Sequence, residues 1–472
     1  MTDPTGALTS LITALESGEV GAAELLDHHL ERIERLDSAI NAVITLEPER
    51  ARAEASAIDD ARVAGRPLGP LAGVPITVKD ALATEGIRST GGAAELADHV
   101  PHEDAATVTT VRDAGAVVFG KTNIPRWSGD YQTTNELFGT TNNPWAPDRT
   151  AGGSSGGPAA AVAMGFTGFE IGTDIGGSIR VPSSFCGVFG HKPSFGVVPT
   201  DGYLDSTRYH RNRADVNVFG PIARSIDDLA LLFDLLAGPS PDDAAGWRLE
   251  LPPSRARALG DFRVTAWLDD PFCPVDPTVL DVLVHAVREL EAAGAHIDHD
   301  RRPSLDPATA AADGALLISL ATAVSENDDM ADVAGPGRAV SHREWDVRHR
   351  RRGELRRVWS DFFTETDILL CPVTPVPAFR HVHTVDGSNW AEATLRDFGD
   401  RPYRDLLGWN ALVGSVYLPV TTPPVGRTVD GLPVGIQVVA PYLHDHTALT
   451  FARHLTEILG GYQPPALART TA

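Results

Sequence analysis

Lysine is scarce in this chain of 472 residues, because of the 40 basic residues only three are lysine and 37 are arginine. The three are Lys79, Lys121 and Lys192. Arginine keeps its proton in proteins, whereas a buried lysine can lose its proton and then accept one. The bias indicates that lysine is retained where the chemistry of arginine would fail.

Cysteine is also scarce, with Cys186, Cys273 and Cys371 far apart and in no CxxC pair. This spacing predicts neither a zinc site nor a disulfide framework, so we expect no metal, no cofactor and three reduced thiols. The chain has no apolar run of 18 residues and no basic segment followed by an apolar one at its start, which predicts a cytoplasmic protein that does not bind membranes. The net charge of −23 argues against a nucleic acid partner.

Short apolar segments alternate with helical patterns along the chain. This order predicts an α/β fold with a large twisted mixed β-sheet core and helices on both faces. We expect a single domain over 1–472, with the helical segment 1–65 packing on it. Residues 201–215, and parts of 326–403, are polar and aperiodic, and we expect both ranges to contribute loops to a substrate cleft.

Lys79 ends a short apolar segment, residues 73–80, that reads as a strand. A salt bridge to its neighbour Asp80 is the ordinary interpretation of this lysine. The other interpretation is a general base, for which the amine must be neutral. Neutrality at pH 7 would cost about 4–5 kcal/mol for a free lysine, and burial can remove that cost by lowering the pKa.

Two glycine-serine motifs follow. Gly152–Gly157 places Ser154 and Ser155 among four glycines, which suits a tight turn, although a flexible linker or a phosphate-binding loop has similar composition. In Gly172–Arg180, two glycines precede Ser178, and consecutive backbone N–H groups there could form an oxyanion hole. Ser178 is either the nucleophile or an ordinary turn serine. No histidine of the chain lies in a GxSxG motif that would point to a histidine base. Lys79 and the two glycine-serine motifs together therefore predict a serine hydrolase with a lysine base.

These motifs resemble those of the amidase signature family, most closely from Lys79 to about Pro199. The resemblance implies that Lys79 is the base and that Ser178 is the nucleophile. It also implies that Ser154 lies on a cis peptide bond and relays protons between the two. It also implies an oxyanion hole built from the N–H groups of Ile175, Gly176, Gly177 and Ser178. Asp174 and Arg180 would be structural supports, and Lys121 and Lys192 would form ion pairs of the scaffold.

The same resemblance places the segment after Pro125 on the acyl side of the cleft. We expect Trp127, Ser128, Gly129 and Tyr131 to bind substrate, with two small residues leaving room between aromatic walls. The alternative is that they only pack their own loop. No pair of charges in this stretch would clamp an amino acid, which favours neutral or aryl substrates.

The resulting hypothesis is a free-standing amidase, monomeric or homodimeric, that hydrolyses linear or aryl amides. Its small-molecule substrates would extend to esters and carbamates (urethanes), because all three pass through the same tetrahedral oxyanion. Two alternatives remain: the A subunit of a tRNA-dependent glutamine amidotransferase, and a non-catalytic member of the fold.

Overall fold

A computed structural model describes residues 6–204, 213–326, 341–382 and 393–469. Its twelve α-helices within these ranges are α1 Leu8–Ser17, α2 Ala22–Leu36, α3 Pro48–Val63, α4 Ala106–Asp113, α5 Gly156–Met164, α6 Arg180–Cys186, α7 Ile226–Leu236, α8 Pro277–Ala292, α9 Pro307–Glu326, α10 His342–Glu365, α11 Gly408–Gly414 and α12 Asp445–Leu459.

The strands in the same ranges are β1 Val43–Leu46, β2 Pro75–Lys79, β3 Val117–Thr122, β4 Thr134–Asn135, β5 Gly139–Thr140, β6 Glu170–Asp174, β7 Phe189–Lys192, β8 Val218–Ala223, β9 Arg263–Ala266, β10 His296–Asp298, β11 Ile368–Pro372, β12 Thr394–Leu395, β13 Arg401–Pro402, β14 Val420–Thr422, β15 Pro424–Arg427 and β16 Pro433–Val439.

A mixed sheet of nine strands forms the centre of the described fold. Eight of them follow the order β10-β9-β11-β16-β14-β7-β8-β6, and β15 pairs with the other end of β16. β9 is parallel to both β10 and β11, whereas the remaining pairs are antiparallel. The predicted α/β fold with a large mixed sheet is confirmed.

A second sheet, of order β1-β3-β2, carries Lys79 at its end. β2 runs parallel to β3, and the register pairs Lys79 with Thr122. Every residue of β2, β3 and β6 is buried. β2 and β3 begin with apolar residues, as is typical of strands buried on both faces, whereas β6 carries the polar side chains of Glu170, Thr173 and Asp174.

Helix ends follow the capping chemistry of the sequence. Ser225 precedes α7 and its hydroxyl accepts a hydrogen bond from the Asp228 N–H at 3.0 Å, which is the usual role of serine at this position. Asp276 caps α8 in the same way, through the N–H of Thr278, and Pro277 takes the first helical position, where no donor is lost.

One expectation about chain organisation needs correction. Residues 1–65 are not helical throughout, because Val43–Leu46 forms β1 and pairs antiparallel with β3. Within 326–403, where we expected parts of the range to be loop, 342–365 form α10 and 368–372 form β11. The many arginines of α10 hid its apolar face, although arginine favours helix and Trp359, Phe362 and Phe363 are buried. Residues 205–212, 327–340 and 383–392, which belong to the expected cleft loops, lie outside the described residues.

Candidate active site

Lys79 lies at the end of β2 with its side chain completely buried. Its Nζ is 2.8 Å from Ser154 Oγ, 3.0 Å from Ser155 Oγ and 2.7 Å from Thr173 Oγ1. All three partners are hydroxyls. A neutral amine has two N–H donors and one lone pair, so this environment satisfies the uncharged form when one hydroxyl donates to it.

Burial lowers the pKa of Lys79 to about 7, although the carboxylates of Asp174 and Glu170 act in the opposite direction. The expected salt bridge between Lys79 and Asp80 is absent from the described contacts. Successive side chains of a strand point to opposite faces, and Asp80 instead accepts hydrogen bonds from the N–H and hydroxyl of Thr90. Lys79 therefore contacts the hydroxyls of Ser154 and Ser155 and not the carboxylate of Asp80.

Ser154 follows a cis peptide bond after Gly153, in the turn formed by residues 152–157, which we call the first glycine-serine turn. The turn is packed so closely that side chains have no room. A Cβ on Gly153 would lie 2.3 Å from the Asp130 carbonyl oxygen, and one on Gly157 would lie 2.3 Å from the Asn123 carbonyl oxygen. A linker would not need this close approach, so the linker interpretation is wrong.

Residues 172–178, the second glycine-serine turn, are held by a buried ion pair. Asp174 and Arg180 are both inaccessible, and Asp174 Oδ1 is 2.8 Å from Arg180 Nη2. Burial by itself would raise the pKa of Asp174, but Arg180 outweighs burial and holds it at about 2. Gln437 Oε1 accepts a further hydrogen bond from Arg180 at 2.9 Å. The pair joins the turn to β16.

The four backbone groups expected in the oxyanion hole do not behave alike. The N–H of Gly177 donates to Asp174 Oδ1 at 2.8 Å and is already engaged. The N–H groups of Ile175, Gly176 and Ser178 donate to no acceptor within the described ranges. Three of the four predicted donors are therefore available, and Gly177 shapes the turn with a φ of 121°, where a Cβ would meet the side chain of Asn410 at 2.8 Å.

Ser178 stands where the two turns meet. Its carbonyl oxygen accepts a hydrogen bond from the Ser155 N–H at 3.1 Å. Ser178 keeps 7% of its surface exposed, whereas Lys79 and Ser154 are fully buried. Of the three residues, Ser178 is thus the one that a small molecule can reach.

The four residues expected to bind substrate separate in the structure. Tyr131 is buried and its hydroxyl donates to the Gly176 carbonyl at 2.6 Å. Trp127 and Ser128 belong to a turn with positive φ, and Trp127 packs against Gly91. Gly129 is exposed, and a Cβ there would meet only the Arg126 carbonyl oxygen, at 3.3 Å. Of these residues, Tyr131 contacts the second glycine-serine turn directly, so Gly129 is not the floor of an enclosed pocket.

Apolar side chains surround the second turn on its outer side. A Cβ on Gly176 would lie 3.0 Å from Leu407 Cδ1 and 3.7 Å from Ile318 Cγ2. These residues and Tyr131 belong to one apolar cluster that also contains Phe379 and Leu395. Phe379 and Leu395 line a cavity of about 460 Å³, bounded by residues 379–382 and 393–398. The apolar cluster thus extends from the turn to this cavity.

Among the residues that the structure describes, neither Lys121 nor Lys192 has the expected ion-pair partner within 4 Å. Lys121 Nζ donates to the Leu82 carbonyl at 2.6 Å and to the hydroxyls of Thr84 at 2.7 Å and Ser89 at 2.9 Å. Lys192 Nζ donates to the Pro193 carbonyl at 2.9 Å. Both amines are buried at strand ends that offer neutral oxygens, and burial lowers their pKa values to about 8 and about 7.

Sequence reasoning missed Ser155, Thr173 and Glu170. The first two supply hydroxyls to Lys79. Glu170 is a fully buried carboxylic acid at the start of β6, a strand whose residues are all buried. The signal for Glu170 was available, since a charge in a buried strand is rare without a specific partner. No helix of the described chain is long and apolar enough to cross a bilayer, and no three potential metal ligands cluster within it.

Comparison with known proteins identifies the family. A family model described as Amidase matches residues 24–344 and 336–449. The chain belongs to the amidase signature family. The A subunit of glutamyl-tRNA(Gln) amidotransferase from Synechococcus sp. (strain CC9311) is 33% identical over 93% of this chain and 94% of its own length.

Solved structures of amidase signature enzymes share the fold. A bacterial aryl acylamidase superposes with a TM-score of 0.83 at 25% identity, covering 96% of each chain. A 6-aminohexanoate cyclic dimer hydrolase, bound to its substrate, superposes with a TM-score of 0.82 at 25% identity and covers 99% of this chain and all of its own. These findings support an enzyme that acts on carbon–nitrogen bonds. The curated relative is named for work on tRNA, so the net charge alone does not support excluding nucleic acid.

Proposed function

We propose that this amidase hydrolyses uncharged carboxamides through an acyl-enzyme on Ser178, with Ser154 as proton relay and Lys79 as base. The observation that carries the proposal is the 2.8 Å contact between Lys79 Nζ and Ser154 Oγ in a buried, hydroxyl-lined site. A lysine with a pKa near 7 is a competent base at neutral pH.

The steps follow from the groups present. Lys79 takes the proton of Ser154 while Ser154 takes that of Ser178, and Ser178 Oγ bonds to the carbonyl carbon. The oxyanion accepts hydrogen bonds from the N–H groups of Ile175, Gly176 and Ser178. The carbon–nitrogen bond then breaks as the proton returns through Ser154 to the departing amine, and water hydrolyses the ester left on Ser178.

Apolar surroundings favour an uncharged acyl group. Tyr131, Ile318 and Leu407 contact the turn that would carry the oxyanion, and none of them would stabilise a charge on the substrate. Linear and aryl amides fit such walls, and esters or carbamates follow from the shared tetrahedral intermediate. An apolar site gains about 25 cal/mol for each Å² of apolar substrate surface that it buries.

Covalent labelling tests the proposal. A fluorophosphonate probe should add one mass label to the native enzyme and none to Ser178→Ala, with both proteins showing the same far-UV circular dichroism. Anilide, primary amide, ester and carbamate substrates assayed side by side then define the acyl preference. Normal amide hydrolysis by Ser178→Ala would refute the mechanism, and a native protein that neither reacts nor turns over any substrate would identify a non-catalytic member.

A second candidate is the A subunit of a glutamine-dependent tRNA amidotransferase. The curated relative named above supports this function better than it supports a free-standing amidase, and it matches nearly the whole chain. In that role, Ser178 would release ammonia from glutamine and the chain would require partner subunits.

Two measurements separate the candidates. A free-standing amidase should be purified from its native source as a single polypeptide and should hydrolyse anilides alone. An amidotransferase component should instead be purified with other chains and release ammonia from glutamine only in their presence. Glutamine hydrolysis that depends on a co-purified chain would favour the second candidate.

A further inference from the structure

Glu170 is a buried carboxylic acid that the proposed mechanism does not use. It begins β6 and has no exposed surface. Its Oε1 accepts hydrogen bonds from the hydroxyls of Thr77 at 2.7 Å and Thr122 at 2.9 Å, and the backbone N–H of Ile171 lies 3.3 Å from its Oε2. Each of these donors is uncharged. Keeping a buried carboxylate ionised with only neutral partners costs free energy, unless a positive charge nearby stabilises it.

The hydrogen bonds of Glu170 connect it to the strand that carries Lys79. Thr77 lies two residues before Lys79 on β2, and Thr122 is the residue of β3 paired with Lys79. Glu170 therefore bonds to residues next to Lys79 on β2 and β3, and its hydrogen bonds within the described chain reach neither Ser154 nor Ser155. No cation of the described chain lies within 4 Å of it, so no close ion pair offsets its charge.

Asp174, the other carboxylate that acts on Lys79, has a close ion-pair partner, which Glu170 lacks among the described residues. Asp174, on the same strand β6, is tied to Arg180 by hydrogen bonds of 2.8 and 3.0 Å, so its charge is fixed and largely offset. Lys121 on β3 is a cation that acts on Glu170, and it is held by hydroxyl and carbonyl oxygens. Of the two carboxylates that act on Lys79, Glu170 is therefore the one without a close ion pair among the described residues.

The helices packed on β2 add no buried carboxylate, because Glu24, Asp27, Glu31 and Glu34 of α2 are not among its buried residues. α5 has no titratable side chain. α2 contributes His29 and Arg32, which bond to the carbonyl oxygens of Gly165 and Met164. Lys79 thus responds to Asp174, whose charge is constant, and to Glu170, whose charge is not.

We propose that Glu170 is a positioning residue of this enzyme, one whose buried carboxylate controls the charge state of Lys79 without contacting the serines. The inference rests on the proposed function, because it matters for catalysis only if Lys79 is the base. An ionised Glu170 stabilises the protonated form of Lys79, which cannot act as a base. A protonated Glu170 favours the neutral form of Lys79, which can accept a proton. Burial raises the pKa of Glu170 to about 7, against the hydrogen bonds of Thr77 and Thr122, so its charge changes in the same pH range as that of Lys79.

The scarcity of lysine makes a direct measurement possible. Protein grown on lysine labelled with ¹³C at Cε carries three labelled side chains, one for each of Lys79, Lys121 and Lys192. Their resonances are assigned with Lys79→Arg and Lys192→Met, and followed against pH. This readout reports the charge of each amine without relying on catalysis.

Glu170→Gln keeps an oxygen that can accept from Thr77 and Thr122 but removes the charge. The midpoint of the Lys79 titration curve should fall by about one pH unit, which is in the range expected when a nearby opposite charge is lost. Its wild-type titration should be broader than a single-site curve and should sharpen in the variant. Lys192 is the internal control, because Glu170 is not among the charges that act on it. Glu54→Gln, which removes an exposed carboxylate, controls for net charge.

A lower midpoint for Lys79 with Lys192 unchanged supports the proposal. An unchanged Lys79 midpoint, or an equal shift at Lys192, overturns it. If Glu170→Gln fails to fold, Thr122→Val removes one donor to the carboxylate and should lower the Lys79 midpoint by a smaller amount. The acidic limb of kcat/KM should move in the same direction as the Lys79 midpoint. Amide hydrolysis by Ser178→Ala would refute the proposed function while leaving the titration result intact, so the two failures are distinguishable.

Discussion

The hydroxyl of Tyr131 donates a 2.6 Å hydrogen bond to the backbone carbonyl of Gly176. The carbonyl group of Asp130, the residue before Tyr131, also packs against the first glycine-serine turn. A Cβ on Gly153 would lie 2.3 Å from its oxygen. One short segment therefore touches both turns that carry the proposed catalytic serines. We therefore expect Tyr131, predicted from the sequence to be a pocket wall, also to orient the proposed oxyanion donors.

Tyr131→Phe tests this role. The variant keeps the ring and loses one hydrogen bond to Gly176, which is worth about 0.5–1.5 kcal/mol. We expect kcat to fall about 2- to 12-fold with little change in KM, since the orientation of the donors matters most when the oxyanion forms. The matched control is Tyr442→Phe, which removes a hydroxyl bonded to the Phe195 carbonyl at 3.1 Å. Equal losses in both variants would show only a general effect on packing.

The base assignment predicts both a pH profile and a mutational result. Since Lys79 must be neutral to accept a proton, kcat/KM should rise with pH through a midpoint near 7. Lys79→Arg should be nearly as inactive as Lys79→Ala, because arginine does not lose its proton. Steady-state rates from pH 5 to 9 measure the first, and single-turnover rates the second. Amide hydrolysis by the arginine variant at half the native rate would make Lys79 a structural residue.

Much of the candidate site is local in sequence, and that part could be predicted. Lys79 ends a recognisable strand, and the two serines lie in glycine-rich motifs whose spacing is distinctive. The proposed contribution of Glu170 could not be predicted, because it depends on a contact between β6 and β2, two strands of different sheets, and no local pattern specifies that contact. The same limit applies to Gly129, whose exposure is set by how its turn packs on Gly91 and Gly92.

The relay assignment predicts different losses on different substrates. Ser154→Ala breaks the contact between Lys79 and Ser154. Amide hydrolysis should fall strongly, because a poor amine leaving group must receive a proton, whereas ester cleavage should fall less because an alkoxide or phenoxide leaves more readily. The measurement is kcat/KM for an anilide and an ester of the same acid. Losses of the same size on both would contradict a role for Ser154 in protonating the leaving group.

Lys192 permits a test on stability rather than activity. Burial lowers its pKa to about 7, so between pH 7 and 8.5 the folded protein releases a proton that the unfolded chain still holds. The unfolded state binds more protons in this window, and this lysine therefore makes the free energy of unfolding increase with pH. Lys192→Met should flatten that increase by about 1–2 kcal/mol. Urea unfolding at pH 7.0 and 8.5 measures it, and an unchanged slope would mean that the lysine stays protonated when buried.

The acyl pocket can be located by comparing two variants. The sequence points to Gly129, whereas the structure places Ile318 against the second glycine-serine turn and leaves Gly129 exposed. Ile318→Ala should widen the site and raise kcat/KM for benzoyl over acetyl substrates about 10-fold or more, since a hydrophobic pocket contact changes discrimination by about 1–3 kcal/mol. Gly129→Phe should leave that ratio within about 2-fold, because its ring would extend into solvent and gain none of that contact energy. Thermal melts of both variants ensure that the comparison is made on folded protein. If Gly129→Phe instead excludes the benzoyl substrate while Ile318→Ala has no effect, substrate enters from the Trp127 side, and the walls formed by Leu407 and Ile318 belong only to the scaffold.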